Sequence, residues 1–447
     1  MTALDIASLG AELRFARPVR EIGRVCAVEG NLLRVRGLGA TCSIGDVLRV
    51  WLRDGTLLTG EVIQLHGEEL TVLPNAAPDG VSIGDRVALR HQTGIAPTDA
   101  WIGRIVDPYG VPLDGAPLLR GPDPRPLKAS PPPPAARRAM GRRLETGMAV
   151  FNTLLPIVQG QRLGLFAGSG VGKSSLMGRF AQQMQADVVV IALIGERGRE
   201  LRDFVENVLG KEGLAHSVVI AATSDQSPLV RRRCAWAAMA VAEHFRDQGR
   251  HVLFLADSIT RFAEAHREVA VAAGEMPALR GYPPSTSHLI MSLCERAGPG
   301  QMGQGDITGI FSVLVAGSDM EEPIADILRG VLDGHVVLDR KIAERGRFPA
   351  IDLLRSVSRS LPAAATEKEN DLISGARRLL GAYDQSATMI RAGLYSEGTD
   401  PLLDNAIRAW PELDAFLGEK RGMTTTDSFA KLGLIIRRAG AGMPQGT

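Results

Sequence analysis

The stretch RLGLFAGSGVGKSSLMGRFAQQM, residues 162–184, joins an apolar run to a glycine-rich loop and then to a segment of helix length. Glycines recur where a backbone must approach a phosphate so closely that side chains would obstruct it. The helix that follows would point its first N–H groups at the same anion. We therefore predict a nucleotide cradle in this loop. Its predicted binding residues are Gly168, Ser169, Gly170, Val171, Gly172, Lys173, Ser174 and Ser175.

Two side chains of this loop have distinct predicted roles. Lys173 can reach the β- and γ-phosphates of a nucleotide, and the Ser174 hydroxyl is placed to ligate Mg²⁺. The usual pattern opens with glycine, whereas this chain has Ala167, which requires a negative φ at the end of the preceding strand. The sequence thus predicts binding of ATP together with Mg²⁺.

Two further apolar runs end in a carboxylate. HVLFLADS, residues 251–258, reaches Asp257, and a carboxylate at the end of a neighbouring parallel strand points into the phosphate crevice, where it would hold the hydration shell of Mg²⁺. VVVIALIGERGREL presents Glu196, which we predict to orient the attacking water. Arg197 beside it would steady the γ-phosphate or a subunit interface. The alternative for this segment is an exposed acidic loop held by ion pairs.

The pattern of apolar runs and turn signals differs between the region around the glycine-rich loop and the segments on either side of it. Near-continuous apolar runs alternate with helix-length stretches between about residues 144 and 359, which predicts an α/β core with a parallel sheet. Upstream, short β-branched runs are separated by turn signals about every 8–12 residues, as in a small antiparallel barrel. Strand signals vanish after Arg359, and the remainder predicts helices.

Composition excludes several classes of protein. The 447 residues carry a net charge of +1 and 4% aromatic residues, so neither charge nor base stacking favours nucleic acid, and we expect no such partner. The four cysteines lack zinc-ligand spacing, which favours buried thiols in a reducing compartment. Without a long apolar run or a secretory signal, the chain is expected to be cytoplasmic and to meet the membrane only through partners.

Three further segments have distinctive sequence patterns, and two of them suggest contacts with other proteins. Ile6, Leu9 and Leu13 form one stripe on a helix too short to be stable alone, so we predict a docking element there; packing on the chain's own barrel is the alternative. Four prolines at 131–134 predict a stiff surface strap, or else a site for a proline-binding module. GEMPALRGYPPS, residues 274–285, predicts a shaped loop between regular elements.

The blocks AGSGVGKS, GERGREL, ADSITRFAEAHREVAVAAGEMPALRGYPPS and ERAGPG resemble those of the flagellar and injectisome type III export ATPases, which are related to the catalytic subunits of rotary ATP synthases. The resemblance covers almost the whole chain from about residue 20, and ERAGPG and REVAVAAGE favour the flagellar branch. It implies a homohexameric ring of subunits, each with a β-barrel, a RecA-like ATPase core and a C-terminal helical domain. Together with the sequence patterns above, this predicts a docking helix at 1–17, the barrel at 18–93, the core at 94–362 and the helical domain at 363–447.

The same resemblance implies roles for single residues. Arg359 in SVSR matches the arginine finger that reaches the neighbouring subunit's nucleotide, and Phe348 replaces an adenine-stacking tyrosine, keeping the ring without the hydroxyl. The loop 274–285 would face the central shaft, and Asp306 stands where serine is usual. The implied partners are a stator-like regulator at the N-terminus, a coiled-coil stalk in the pore, the membrane export gate and export chaperone–substrate complexes.

Three rival functions remain to be weighed. A transcription-terminating ring helicase would need an aromatic, basic RNA-binding face, yet Trp51 is the only aromatic residue between residues 20 and 95. A non-catalytic ring subunit would lack Glu196 or Lys173. An ATP synthase ring divides the cradle and the finger between two kinds of chain, whereas Lys173, Glu196 and Arg359 lie on one chain here.

Overall fold

The structure is a computed structural model, and it describes residues 20–90, 94–315, 320–419 and 422–440. The predicted docking helix at residues 1–17, with Ile6, Leu9 and Leu13, lies outside these ranges. Within the described ranges, no helix combines the length and the apolar character that crossing a bilayer requires.

Six antiparallel strands close into a barrel at the start of the described chain. Their inward residues, such as Val25, Val35 and Val50, are buried, while the residues between them face outward, so the period-2 pattern of the sequence sets the pleat. The predicted barrel is therefore confirmed. The strands are β1 (Gly23–Glu29), β2 (Leu32–Arg36), β3 (Val47–Trp51), β4 (Leu57–His66), β5 (Glu69–Pro74) and β6 (Arg86–Leu89).

A nine-stranded sheet forms the centre of the molecule, with strands β7 (Ile105–Val106), β8 (Arg162–Ala167), β9 (Val188–Glu196), β10 (Ser217–Thr223), β11 (Val252–Asp257), β12 (Gly298–Pro299), β13 (Asp306–Leu314), β14 (Gly334–Leu338) and β15 (Ile351–Ser358). The strand order is β15-β14-β8-β13-β11-β9-β10-β7, with β12 paired to β13. Its pairs are parallel except β14 with β15 and β12 with β13, which are antiparallel. The sheet is thus parallel in its interior, as predicted, and gains an antiparallel edge that the sequence did not reveal.

Helices cover both faces of this sheet, and alternate residues of β9 belong to two separate cores. Val189 and Ile191 pack in the core that contains the helix after the glycine-rich loop and the C-terminal helices, whereas Val188 and Val190 pack in the core of the helices between residues 228 and 331. A strand buried on both faces needs the unbroken apolar run seen in the sequence. The helices are α1 (Ala149–Asn152), α2 (Lys173–Gln183), α3 (Gly198–Asp203), α4 (Gly210–Ala215), α5 (Pro228–Asp247), α6 (Ile259–Ala272), α7 (Ser285–Cys294), α8 (Pro323–Val331), α9 (Arg340–Glu344), α10 (Glu367–Arg391), α11 (Pro401–Leu417) and α12 (Thr425–Gly440).

Asp306 anchors the proline-rich strap to the start of β13. Its buried carboxylate accepts hydrogen bonds from Arg138 Nη2 at 2.5 Å, Gln159 Nε2 at 2.8 Å and Gly300 N at 3.0 Å. Arg137, which like Arg138 follows the proline run at 131–134, donates to the backbone oxygens of Glu295 and Ala297. The strap is thereby held against the core, and the aspartate has a structural role that one serine hydroxyl would fill only in part.

We expect Asp306→Ala to destabilise the core, because Arg138, Gln159 and Gly300 N would lose their shared acceptor at a cost of about 1–3 kcal/mol. Asp306→Ser, which keeps one acceptor, should lose less. Melting temperature measures both effects. The control is Asp326→Ala, since that carboxylate is largely exposed and only pairs with Arg329 one helical turn away. Equal melting temperatures for all four proteins would contradict this role.

Candidate nucleotide site

The carboxyl ends of β8 and β9 open into a cleft of about 1670 Å³. The segment 167–175 forms one wall, and Glu196 and Arg197 lie across from it. Since β13 and β11 separate β8 from β9 in the sheet, several strand ends converge on this space. Ligands of open α/β sheets bind at such an edge.

The glycine-rich loop leaves β8 at Ala167 and enters α2 at Lys173. Gly170 and Gly172 have φ values of 76° and 89°, in the left-handed region where glycine is favoured. Ala167 belongs to the strand itself, and its carbonyl oxygen accepts Val315 N at 3.1 Å. Alanine is therefore accommodated, because the turn begins only after it.

Lys173 lines the cleft and contacts Asp257, which is buried. The Lys173 ammonium group forms an ion pair with the Asp257 carboxylate, which also accepts a hydrogen bond from Ser312 Oγ at 2.8 Å. Both side chains of the pair are largely buried. The structure thus brings together two predicted site residues that lie far apart in the chain.

Glu196 ends β9 beside this pair and has an altered acidity. Burial raises the pKa of its carboxyl group to about 7; the negative charge of Asp257 adds to the rise, and the Lys173 ammonium opposes it. A hydrogen bond with Glu200 also favours the protonated form. A carboxylate whose pKa lies near neutrality is suited to take a proton from an attacking water.

The rate constant kcat/KM should therefore rise with pH around a midpoint of about 7. Below that value Glu196 is protonated and cannot act as an acceptor; above it the carboxylate is ionised, and kcat/KM reports the free enzyme. Glu196→Gln should still bind ATP, hydrolyse it far more slowly, and lose this pH dependence. Nucleotide affinity and single-turnover rates, measured across pH, test this. A parallel fall in affinity and rate would make Glu196 a structural residue.

The predicted metal ligands offer oxygen donors only. Ser174 lines the cleft at the start of α2, and the buried Asp257 contacts Lys173 of the same lining. Mg²⁺ prefers oxygen ligands and usually shares its coordination among one or two protein groups, phosphates and water. The donor set fits Mg²⁺ bound with a nucleotide.

Phe348 lies against the cradle from outside the sheet. A Cβ on Gly172 would come within 3.2 Å of its ring, so a larger residue there would have to displace Phe348 slightly. The ring remains 38% exposed. Its neighbour Arg347 pairs with Asp414 of α11 at 3.0 Å, which ties this segment to the helical domain.

The two predicted arginines lie in different places. Arg197 lines the cleft, 80% of its side chain is exposed, and it approaches Glu200 at 3.5 Å. Arg359 follows β15 at the edge of the sheet, where it is exposed and donates from Nη2 to Arg329 O at 3.0 Å. Arg359 is not among the residues around the cleft of its own chain. The chain therefore does not unite Arg359 with the other site residues.

Sequence reasoning missed Glu200 and Arg261, which also line the cleft. Arg261 pairs with Glu264 at 2.8 Å. A signal was available, because Glu200 and Arg261 each follow a strand-terminal carboxylate, Glu196 or Asp257, by four residues. The first turn of a helix that leaves a strand end projects toward the same crevice.

A parallel sheet with a phosphate loop after one strand and carboxylates after two others defines a P-loop nucleotide-hydrolysing core, set here between a barrel and a helical domain. Residues 147–358 match the nucleotide-binding domain of the ATP synthase alpha/beta family, and residues 25–89 match its beta-barrel domain. Residues 365–432 match the C-terminal domain of the type III secretion EscN ATPase.

Individual relatives cover nearly the full chain. The flagellum-specific ATP synthase of Caulobacter vibrioides is 44% identical over 439 residues, covering 96% of this chain and 99% of the relative. That of Salmonella typhimurium is 43% identical, covering 93% of each. The assembled ATPase EscN of the enteropathogenic E. coli type III secretion system superposes with a TM-score of 0.86 at 35% identity, covering 93% of this chain and 100% of EscN. The chain belongs to the flagellum-specific ATP synthases of the ATP synthase alpha/beta family.

Family membership confirms several predictions. The resemblance to type III export ATPases, the barrel, core and helical architecture, and the ATPase activity all hold. The domain boundaries and the roles of single residues remain predictions. The cleft between the phosphate loop and Glu196 lies within the matched nucleotide-binding domain and is the predicted ATP site.

Proposed function

We propose that this chain, as one of six identical subunits of a ring, hydrolyses ATP to drive type III export of flagellar proteins. One observation carries the proposal: the cradle, the water-orienting carboxylate and an outward arginine lie on the same chain, but Arg359 lies away from its own cleft. A ring of identical subunits completes every site with the neighbour's arginine. The relatives named above, and an assembled relative of the same fold, support this arrangement.

Within each site the residues divide the work. Lys173 compensates negative charge on the β- and γ-phosphates, Glu196 orients the attacking water, and Arg197 steadies the γ-phosphate or the interface. Phe348 stacks on the adenine. Ser174 and Asp257 would hold Mg²⁺, which when bound supplies positive charge to the phosphates.

The proposed partners lie on different parts of the ring. A coiled-coil stalk in the pore would contact the loop 274–285, a stator-like regulator would bind the N-terminal segment, and export chaperones would deliver substrates to the membrane export gate. A solved complex of EscN with its central stalk EscO supports the stalk; it matches this chain with a TM-score of 0.84 at 35% identity. Partners would hold the ring at the inner face of the cytoplasmic membrane.

A strain without this chain tests the proposal. We expect this strain to lose extracellular flagellar protein, and we expect the wild-type chain to restore it while Lys173→Ala does not. In a separate measurement on the purified chain, ATPase activity per chain should rise with protein concentration as rings form. The C-terminal match to the EscN domain favours a second candidate, an injectisome ATPase. Normal flagellar export with loss of injected effectors would select that candidate.

A further inference from the structure

The loop of residues 274–285 connects α6, which follows Asp257, to α7. Its base is held by the barrel, because Gln64 Nε2 donates to Ala273 O at 2.8 Å. On its exposed side Met276 is 80% accessible to solvent. The loop is therefore held to the barrel at its base, is exposed at Met276, and continues from α6, the helix that follows Asp257.

The two ends of the loop are joined by a clasp, defined here as Glu275, Ser285 and His266. The Glu275 carboxylate accepts hydrogen bonds from Ser285 N at 2.9 Å and from Ser285 Oγ at 2.6 Å. The first of these satisfies one of the N–H groups that the start of α7 leaves without a helical partner. Ser285 Oγ also lies 2.8 Å from His266 Nε2 on α6.

The protonation of the clasp follows from its hydrogen bonds. Burial lowers the pKa of His266 to about 4, so the imidazole is neutral at physiological pH. Since the Ser285 hydroxyl donates to Glu275, His266 Nε2–H must donate to Ser285, and Nδ1 carries no proton. The buried Nδ1 indeed has no hydrogen-bond partner among the described residues. In the clasp, His266 therefore donates to Ser285, and Ser285 donates to the Glu275 carboxylate.

The tip of the loop is folded toward the ATP site. Ala278 N donates to Tyr282 O at 3.0 Å, and Gly281 N donates to Ala278 O at 3.1 Å. Between them Arg280 has φ 47° and ψ 35°, a left-handed conformation that a non-glycine residue keeps only when its surroundings impose it. Arg280 and Tyr282 both line the ATP cleft.

We propose that Glu275 and Ser285 are positioning residues for ATP hydrolysis: their clasp keeps the loop closed and thereby holds Arg280 and Tyr282 at the cleft. The inference rests on the assignment of this cleft as the ATP site and on nothing further about partners. A loop rich in glycine and proline has no regular structure to fix its ends. The clasp supplies that constraint.

Truncation of either partner tests this. In Glu275→Ala and in Ser285→Ala we expect kcat to fall by about 10–100-fold, as small displacements of site residues do, with ATP affinity changed by less than about threefold. Glu275→Gln should lose less activity than Glu275→Ala. Its amide oxygen still accepts Ser285 N, and its NH₂ can donate to Ser285 Oγ, which then donates to His266 Nε2. The imidazole proton moves to Nδ1, which has no partner among the described residues, so part of the activity is lost. Ser285→Thr should retain activity, because it keeps the hydroxyl.

The matched control is Ser292→Ala on the same helix, where the hydroxyl bonds only to Leu289 O within the helix. It should hydrolyse ATP at the wild-type rate. Melting temperature and ATP affinity, measured beside kcat, separate positioning from misfolding. Wild-type kcat in both alanine variants would overturn the proposal, and so would equal losses in the alanine and conservative variants. Full activity of Lys173→Ala would instead overturn the site assignment.

Discussion

Replacing Lys173 with alanine should lower turnover by at least about 10²–10³-fold, the range found when one preorganised charge donor is removed from a transition state. Negative charge gathers on the transferred phosphoryl group during hydrolysis, and Lys173 is the cation at the start of α2, inside the cradle. The change also leaves Asp257, which is almost completely buried, without its ion-pair partner. Steady-state ATPase activity of purified rings measures the effect.

Lys341→Ala is the matched control, because Lys341 also lines the cleft but lies exposed on the short helix α9 at its rim. We expect it to keep turnover within about threefold of wild type, since an exposed charge is weakened by solvent. Ring formation by both variants must be verified by mass. If Lys173→Ala also stays within threefold, the phosphate site has been placed wrongly.

The elements predicted best are those fixed by local pattern. The barrel strands alternate apolar and polar residues, and the phosphate loop needs glycines at particular backbone positions, so each leaves a local mark in the sequence. The antiparallel edge left none. Strand β15 reads IDLLRSVS, with exposed Leu354 and Val357 beside buried residues, and its direction depends on a chain reversal after β14 that no local period encodes.

The site residues that could be predicted from the sequence are those at or just after the ends of strands. Lys173 and Asp257 lie 84 residues apart and still meet, because β8 and β11 both pair in parallel with β13 and so end at one edge. The pattern of apolar runs ending in a carboxylate indicates this convergence. The clasp of Glu275, Ser285 and His266 has no such signature, since its geometry arises from how α6 and α7 pack.

The proposed contact between neighbouring subunits can be tested most sharply, because two inactive variants should restore each other's ATPase activity in a mixed ring. An arginine finger is worth about 10³–10⁵-fold in rate, since it meets the charge developing on the γ-phosphate. Arg359→Ala should therefore be nearly inactive while it still binds ATP. Arg359 is exposed beyond β15 and does not line its own cleft, so its side chain is accessible to a neighbouring subunit.

A mixed ring of Arg359→Ala and Lys173→Ala subunits contains an intact cradle on one kind of subunit and an intact arginine finger on the other. The first variant has a sound cradle and no finger, and the second has a sound finger and no cradle. Wherever an Arg359→Ala cradle meets the finger of a Lys173→Ala neighbour, one complete site forms. ATPase activity should then appear in mixed rings, isolated through two different affinity tags, although neither parent is active.

The control for this experiment combines Arg359→Ala with the double variant Lys173→Ala/Arg359→Ala. Such rings contain sound cradles but no finger on any subunit, so they should stay inactive if recovery depends on Arg359 across the interface. An arginine acting within its own chain could not be supplied by a neighbour, and then no mixture would recover. Mixed rings of the two single variants that remain inactive would leave Arg359 with a structural role at the sheet edge, where it already donates to Arg329 O.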